Sequence, residues 1–130
     1  MTRRDLQQLA LLRLKEAKQL LDAGLPDGAY YLAGYSVECA LKACIARKTE
    51  RFEFPDKARV LASYGHKIPV LLATAGLDEA VRREPSPKLE TNWKVVRTWE
   101  VESRYERRSM SEAEALINAI RTAGMAYSNG

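Results

Sequence analysis

Apolar residues recur at three- and four-residue intervals near the start of the chain, at Leu6, Leu9, Ala10, Leu14, Ala17, Leu20 and Leu21. This one-faced spacing predicts an amphipathic helix over 3–24. Thr2 is placed to cap it, Asp5 lies in its first turn, and Gly24 and Pro26 close it. Arg13 interrupts the stripe, projecting between Leu6, Leu9, Ala17 and Leu20.

From Asp27 to about Lys48 the pattern changes. The segment is apolar or small nearly all round, with Ser36, Glu38 and Lys42 as the clear exceptions inside it, which predicts the most buried helix of the fold. Residues 49–56 read as a loop broken by Pro55, and short helices are expected at 56–64 and 66–77, separated by Gly65. Gly76 and Pro85 bracket a further short turn. Ser86 and Pro87 open the next helix, whose stripe is Leu89, Trp93 and Val96, while 98–110 reads equally as helix or loop. Ser111 and Glu114 read as the capping box of a last helix carrying Leu116, Ile120, Ala123 and Tyr127 on one face. The short run at 51–54 is the only strand candidate and has no partner. The expectation is a single all-α domain over 1–130, an up-and-down four-helix bundle with additional short helices.

The 130 residues suffice for one core, and 46% hydrophobic with 29% charged residues describes a globular chain. A net charge of +4, with 13 Arg and 8 Lys, is a mild basic bias compatible with anionic partners. Cys39 and Cys44 point about 140° apart on one helix and cannot bond to each other, which suggests reduced thiols in the cytoplasm. The opening is polar, and no apolar run reaches the roughly 20 residues needed to span a bilayer, so no membrane association is expected.

A single histidine and two diverging cysteines make a metal site improbable on spacing alone, and no cofactor is expected. Phosphate-binding glycine loops and nucleophile elbows are absent from the sequence. What stands out is ionic. Glu38 and Lys42 are one helical turn apart in the favourable orientation, Arg13 is the candidate third member and Arg104 the candidate fourth. A cluster of this kind reads either as a satisfied polar network fixing helix register or as the charged wall of a cleft or dimer seam. Arg47 and Lys48 similarly read as complements to a helix C-terminus or as a partner patch.

Four pieces in order resemble the HEPN domain, whose name combines higher eukaryotes, prokaryotes and nucleotide binding. Residues 27–43 resemble the family's second helix, ending in an E-x-A-L-K-A element at Glu38, Ala40, Leu41, Lys42 and Ala43. Residues 65–72, with His66, Ile68, Leu71 and Leu72, resemble its G/T-H-D-L-x-x-L-L segment. Arg104 and Tyr105 resemble its R-Y element, and an amphipathic C-terminal helix follows. The resemblance implies an α-bundle that commonly dimerises, and a minimal nucleotidyltransferase as partner within a toxin–antitoxin module. In some members it implies a metal-independent ribonuclease using Arg and then His after four to six residues. Arg59 and His66 are the candidate catalytic pair here, although Val60 replaces the usual polar residue and Gly65 intervenes.

Arg104, Tyr105, Arg107 and Arg108 gather three guanidinium groups and one aromatic face, a combination suited to phosphate and a stacked base. The duller reading is arginines satisfying helix carbonyls with Tyr105 packed on the bundle. Tyr30, Tyr31, Tyr35, Trp93 and Trp99 add aromatic surface that suggests a homodimer. The leading expectation is a HEPN-type domain binding a nucleotide, RNA or a nucleotidyltransferase. The alternatives are a ribonuclease toxin using Arg59 and His66, and an interaction module without a ligand.

Overall fold

The computed structural model describes residues 2–51, 64–77 and 87–123. They form helices α1 (Arg3–Asp22), α2 (Pro26–Arg51), α3 (Ile68–Thr74), α4 (Pro87–Arg97) and α5 (Met110–Ala123), with a 3-10 turn at Val101–Tyr105. The architecture is the expected all-helical bundle, with no strand among the described residues.

Local chemistry sets each boundary. The Thr2 hydroxyl accepts from the Asp5 backbone N–H at 3.1 Å, and Asp5 accepts from the Thr2 N–H at 3.0 Å, so two orphan donors of α1 are satisfied reciprocally. At the other end Gly24 takes φ 78°, where an L side chain is strained. Leu25 N–H then reaches the Leu20 carbonyl and Gly24 N–H the Leu21 carbonyl, the Schellman arrangement. Pro26 follows at the first position of α2, where no N–H is needed.

α2 is the axis of the molecule, packing against α1, α3, α5 and the 3-10 turn. Its buried positions run through Ala29, Ala33, Val37, Leu41 and Ile45 on one side and Cys39 and Ala40 on another. Small residues let α1 and α2 approach closely at Ala10, Ala17, Ala33 and Ala40, all buried. Ile68, Leu71 and Leu72 of α3, Trp93 and Val96 of α4, and Leu116, Ile117 and Ile120 of α5 complete the core. Each such side chain contributes roughly 1.5–3 kcal/mol when removed from water.

Several boundaries differ from the sequence reading. α2 continues to Arg51 instead of stopping near Lys48, because residues 49–51 contain no glycine or proline to break it. The last helix begins two residues early. Ser109, not Ser111, is the cap: its Oγ accepts from Glu112 N–H at 3.1 Å, and Glu112 Oε1 accepts from Ser109 N–H at 3.1 Å. The undecided stretch resolves into two parts. Thr98 Oγ1 donates to the Val95 carbonyl at 2.7 Å at the end of α4, and Trp99 turns into the core ahead of the 3-10 turn. All of the helix expected at 56–64 except Tyr64, and the turn at 78–86, lie outside the described residues.

The aromatic argument for an interface also changes. Tyr30, Trp93 and Trp99 are buried within the chain, and Tyr31 and Tyr35 pack against the same core. Their surface is used internally, so the aromatic count gives no support for a dimer.

Candidate functional site

α2 carries Glu38 into the interior, where its side chain is 4% exposed. Such a carboxylate needs partners, since an unpaired buried charge costs several kcal/mol. Two are present. Lys42 Nζ lies 3.4 Å from Oε2, one helical turn on, and His66 Nδ1 lies 3.0 Å from Oε1. Arg13 and Arg104, expected as further members, do something else. Arg13 forms an ion pair with Glu16 on its own helix, and the Arg104 guanidinium lies 4.7 Å from the Tyr105 ring centroid. His66 takes the place that Arg13 was expected to fill. It belongs to the segment just ahead of α3, whose cap position is taken by Lys67.

The cluster affects its neighbours. Burial pushes the Cys39 thiol up to about 11, with the negative charge of Glu38 adding to the effect and Lys42 and Arg13 opposing it. The Tyr35 hydroxyl is raised in the same direction, again mainly by burial. Cys39 and Cys44 are both free, as their divergence on α2 requires. Among the described residues no group of three metal-ligating side chains occurs.

His66 also stands at the edge of a cleft of ≈ 590 Å³. Gly65, His66, Lys67, Pro69 and Val70 line one wall, and Arg97 to Val101 with Glu102 supply the other through Arg97, Trp99, Glu100 and Val101. His66 is half open to this space, with 53% of its side chain exposed. Trp99 anchors the second wall from the core. Lys67, Arg97 and Glu100 were not singled out from the sequence, and nothing in their local spacing marks them. The Glu38–His66 contact had a readable clue. A buried Glu–Lys pair leaves one carboxylate oxygen to satisfy, and the only histidine of the chain, considered only as the catalytic partner of Arg59, was available to satisfy it.

The four residues expected to bind a nucleotide divide. Arg108 is tied into the fold: its guanidinium lies 4.3 Å from the Tyr30 ring centroid, with Glu106 at 2.5 Å and Glu112 at 3.3 Å. Its backbone N–H donates to Asp27 Oδ1 at 2.6 Å, fastening the approach to α5 onto the start of α2. Arg104, Tyr105 and Arg107 are exposed, Tyr105 at 78%. Among the described residues neither Arg104 nor Arg107 has a carboxylate within ion-pair reach. They directly follow the Glu100–Glu102 wall in the chain. Arg59 lies outside the described residues.

No helix among the described residues is long and apolar enough to cross a membrane. No curated protein and no solved structure matches the chain. The HEPN domain model matches residues 4–127, almost the whole length, and the chain belongs to the HEPN domain family.

Proposed function

We propose that this HEPN domain binds a nucleotide or single-stranded RNA across the cleft and the adjoining Arg104–Tyr105–Arg107 segment. One observation carries the reading: Arg104 and Arg107 are exposed cations without carboxylate partners among the described residues, beside an exposed tyrosine, while Arg108 next to them is paired through both terminal nitrogens with Glu106 and Glu112. Guanidinium groups pair with phosphate oxygens, and an exposed aromatic ring offers a face to a base. Lys67 and Arg97 add two cations to the cleft lining, alongside the carboxylates of Glu100 and Glu102.

Titration of a fluorescent RNA oligomer, followed by anisotropy, tests this. Binding should weaken steeply with salt, the log–log slope being about −0.7 for each phosphate neutralised on a single strand. The Arg104→Ala variant should bind roughly tenfold more weakly, as expected for losing a charge-assisted contact. Absence of binding at low salt would sink the proposal.

Family membership supports two further parts of the reading, a homodimer and a minimal nucleotidyltransferase partner in a toxin–antitoxin module acting in the cytoplasm. A sedimentation mass equal to one chain at micromolar concentration would contradict the first. The ribonuclease alternative is favoured by the Glu38–His66 contact, which orients an imidazole at a cleft edge. It requires RNA cleavage in the presence of a chelator, lost in the His66→Ala variant.

A further inference from the structure

Between α4 and α5 the chain runs as a strap, residues 98–107, fastened to α2 by two unlike anchors. At the far end Arg108 is held by bonds. Its N–H donates to Asp27 Oδ1 at 2.6 Å, and its guanidinium lies over the Tyr30 ring and pairs with Glu106 and Glu112. At the near end Trp99 is held by packing alone. The indole lies against Gly34 and Tyr31, and its Nε1–H is buried without a hydrogen-bond partner. The hydroxyl of Ser103, a buried residue in mid-strap, is also unpartnered. Among the described residues no hydrogen bond joins 99–107 to α2 or α3. A buried polar group without a partner carries a cost that water removes on exposure. Lifting the Trp99 end hydrates two such groups and breaks no hydrogen bond to α2, against the loss of apolar burial, chiefly of one indole. Arg108 Nε is unpartnered too, but lifting that end breaks a backbone bond, two ion pairs and a cation–π contact. The strap therefore has a firm end and a releasable end.

We propose that residues 98–107 form a latch that releases at Trp99, turns about Arg108, and so opens and closes the cleft against the segment ahead of α3. Trp99, Glu100, Val101 and Glu102 of the strap make one cleft wall, and the exposed Arg104, Tyr105 and Arg107 travel with them. Gly34 is the seat of the latch, because its missing Cβ admits the ring. The ligand's part in this rests on the nucleic-acid reading above: a strand touching both the 65–70 wall and the strap fits only the seated form and holds it shut.

Hydrogen exchange of the Trp99 indole N–H, read by NMR and assigned with the Trp93→Phe variant, tests the latch. Core amides such as those of Leu41 and Ile120 should exchange through global unfolding, their rates rising roughly fivefold or more per molar urea. The Trp99 indole should exchange through local opening, with a rise of less than about twofold per molar. In Gly34→Ala the indole should exchange at least about tenfold faster than in the parent, while the Arg108 amide keeps its protection. A parent indole with the urea slope of the core amides overturns the inference and leaves the nucleic-acid reading intact. An Arg108 amide that opens together with the indole overturns the hinge. A single-stranded RNA of about ten nucleotides, held at about ten times its Kd, should slow the indole about tenfold by mass action. Bound RNA that leaves the exchange unchanged overturns the closing of the latch by ligand. A parent that binds no RNA overturns that closing together with the nucleic-acid reading, and the urea slope alone then decides the latch.

Discussion

The indole of Trp99 lies directly against the backbone of Gly34, so a Cβ at position 34 would fall inside the ring. Trp99 arrives there from the end of α4, after the helix has stopped, and is 1% exposed. Its ring also lies 6.0 Å from that of Tyr31, one turn before Gly34 on α2. The glycine therefore serves close approach and not a turn, since it sits mid-helix without a positive φ. Gly34→Ala would gain about 1 kcal/mol in helix propensity, but the overpacking term is larger, roughly 1–3 kcal/mol and more where backbone meets a rigid ring. The expected result is a net loss of about 2 kcal/mol in urea unfolding. The loss should shrink when Trp99 is first replaced by Leu, because the two positions are coupled.

The start of α5 gives a sharper test of cap assignment. Two overlapping S-x-x-E patterns occur, Ser109–Glu112 and Ser111–Glu114, and only the first is used. Ser111 Oγ merely contacts Ser109 Oγ at 3.2 Å. Ser109→Ala should lower stability by about 1 kcal/mol, the usual cost of losing a cap. Ser111→Ala should change it by less than about 0.5 kcal/mol. Equal effects in thermal unfolding would contradict the assignment.

These two places show which kind of information the chain carries openly. Helix periodicity on α1 and α5, the Thr2–Asp5 cap, Gly24 and Pro26 are local signals, so the bundle could be read from them. The S-x-x-E ambiguity is also local, but it is resolved by tertiary contacts: Arg108, one residue before Ser109, is pinned by Tyr30 and by Asp27, the latter 81 residues upstream. Trp99 against Gly34 and His66 against Glu38 are likewise long-range, and no spacing rule encodes them. At the site, Glu38 and Lys42 stood out as charges in an apolar helix, whereas the cleft wall around Arg97 and Glu100 is visible only once α3 and the 3-10 turn are placed on α2.

Cys39 supplies an alkaline signature. Its thiol, buried beside Glu38, is raised to about 11 in the folded protein, against an ordinary value near 8.5 in the unfolded chain. A raised folded value means that the folded state holds its proton more tightly. The stabilisation is fully present below about pH 8.5 and is lost as pH rises toward 11. Tyr35 acts with the same sign at higher pH. The parent should therefore lose stability between these limits, and Cys39→Ala should lose about 1–2 kcal/mol less over the same interval. Urea unfolding of both proteins at about pH 8 and about pH 10.5 measures the difference. Parallel losses would mean that the thiol is not responsible.

Arg104 and Arg108 should separate binding from folding. Arg108 stacks on Tyr30 and pairs with Glu106 and Glu112, so its removal withdraws a cation–π contact and two ion pairs from one junction. The first is worth about 0.5–1 kcal/mol and each partly exposed pair 0–1, giving an expected loss of about 1–2 kcal/mol for Arg108→Ala. Its backbone bond to Asp27 survives the substitution, so the fold should persist. Arg104 contacts only its neighbour Tyr105 among the described residues, and Arg104→Ala should change stability by less than about 0.5 kcal/mol. RNA affinity should show the opposite order, falling with Arg104→Ala and staying within about twofold of the parent with Arg108→Ala, since engaged guanidinium groups have little left to offer a phosphate. If Arg108→Ala weakens binding more than Arg104→Ala at temperatures where both are folded, the phosphate contacts lie at the junction with Tyr30 and not on the exposed 3-10 turn.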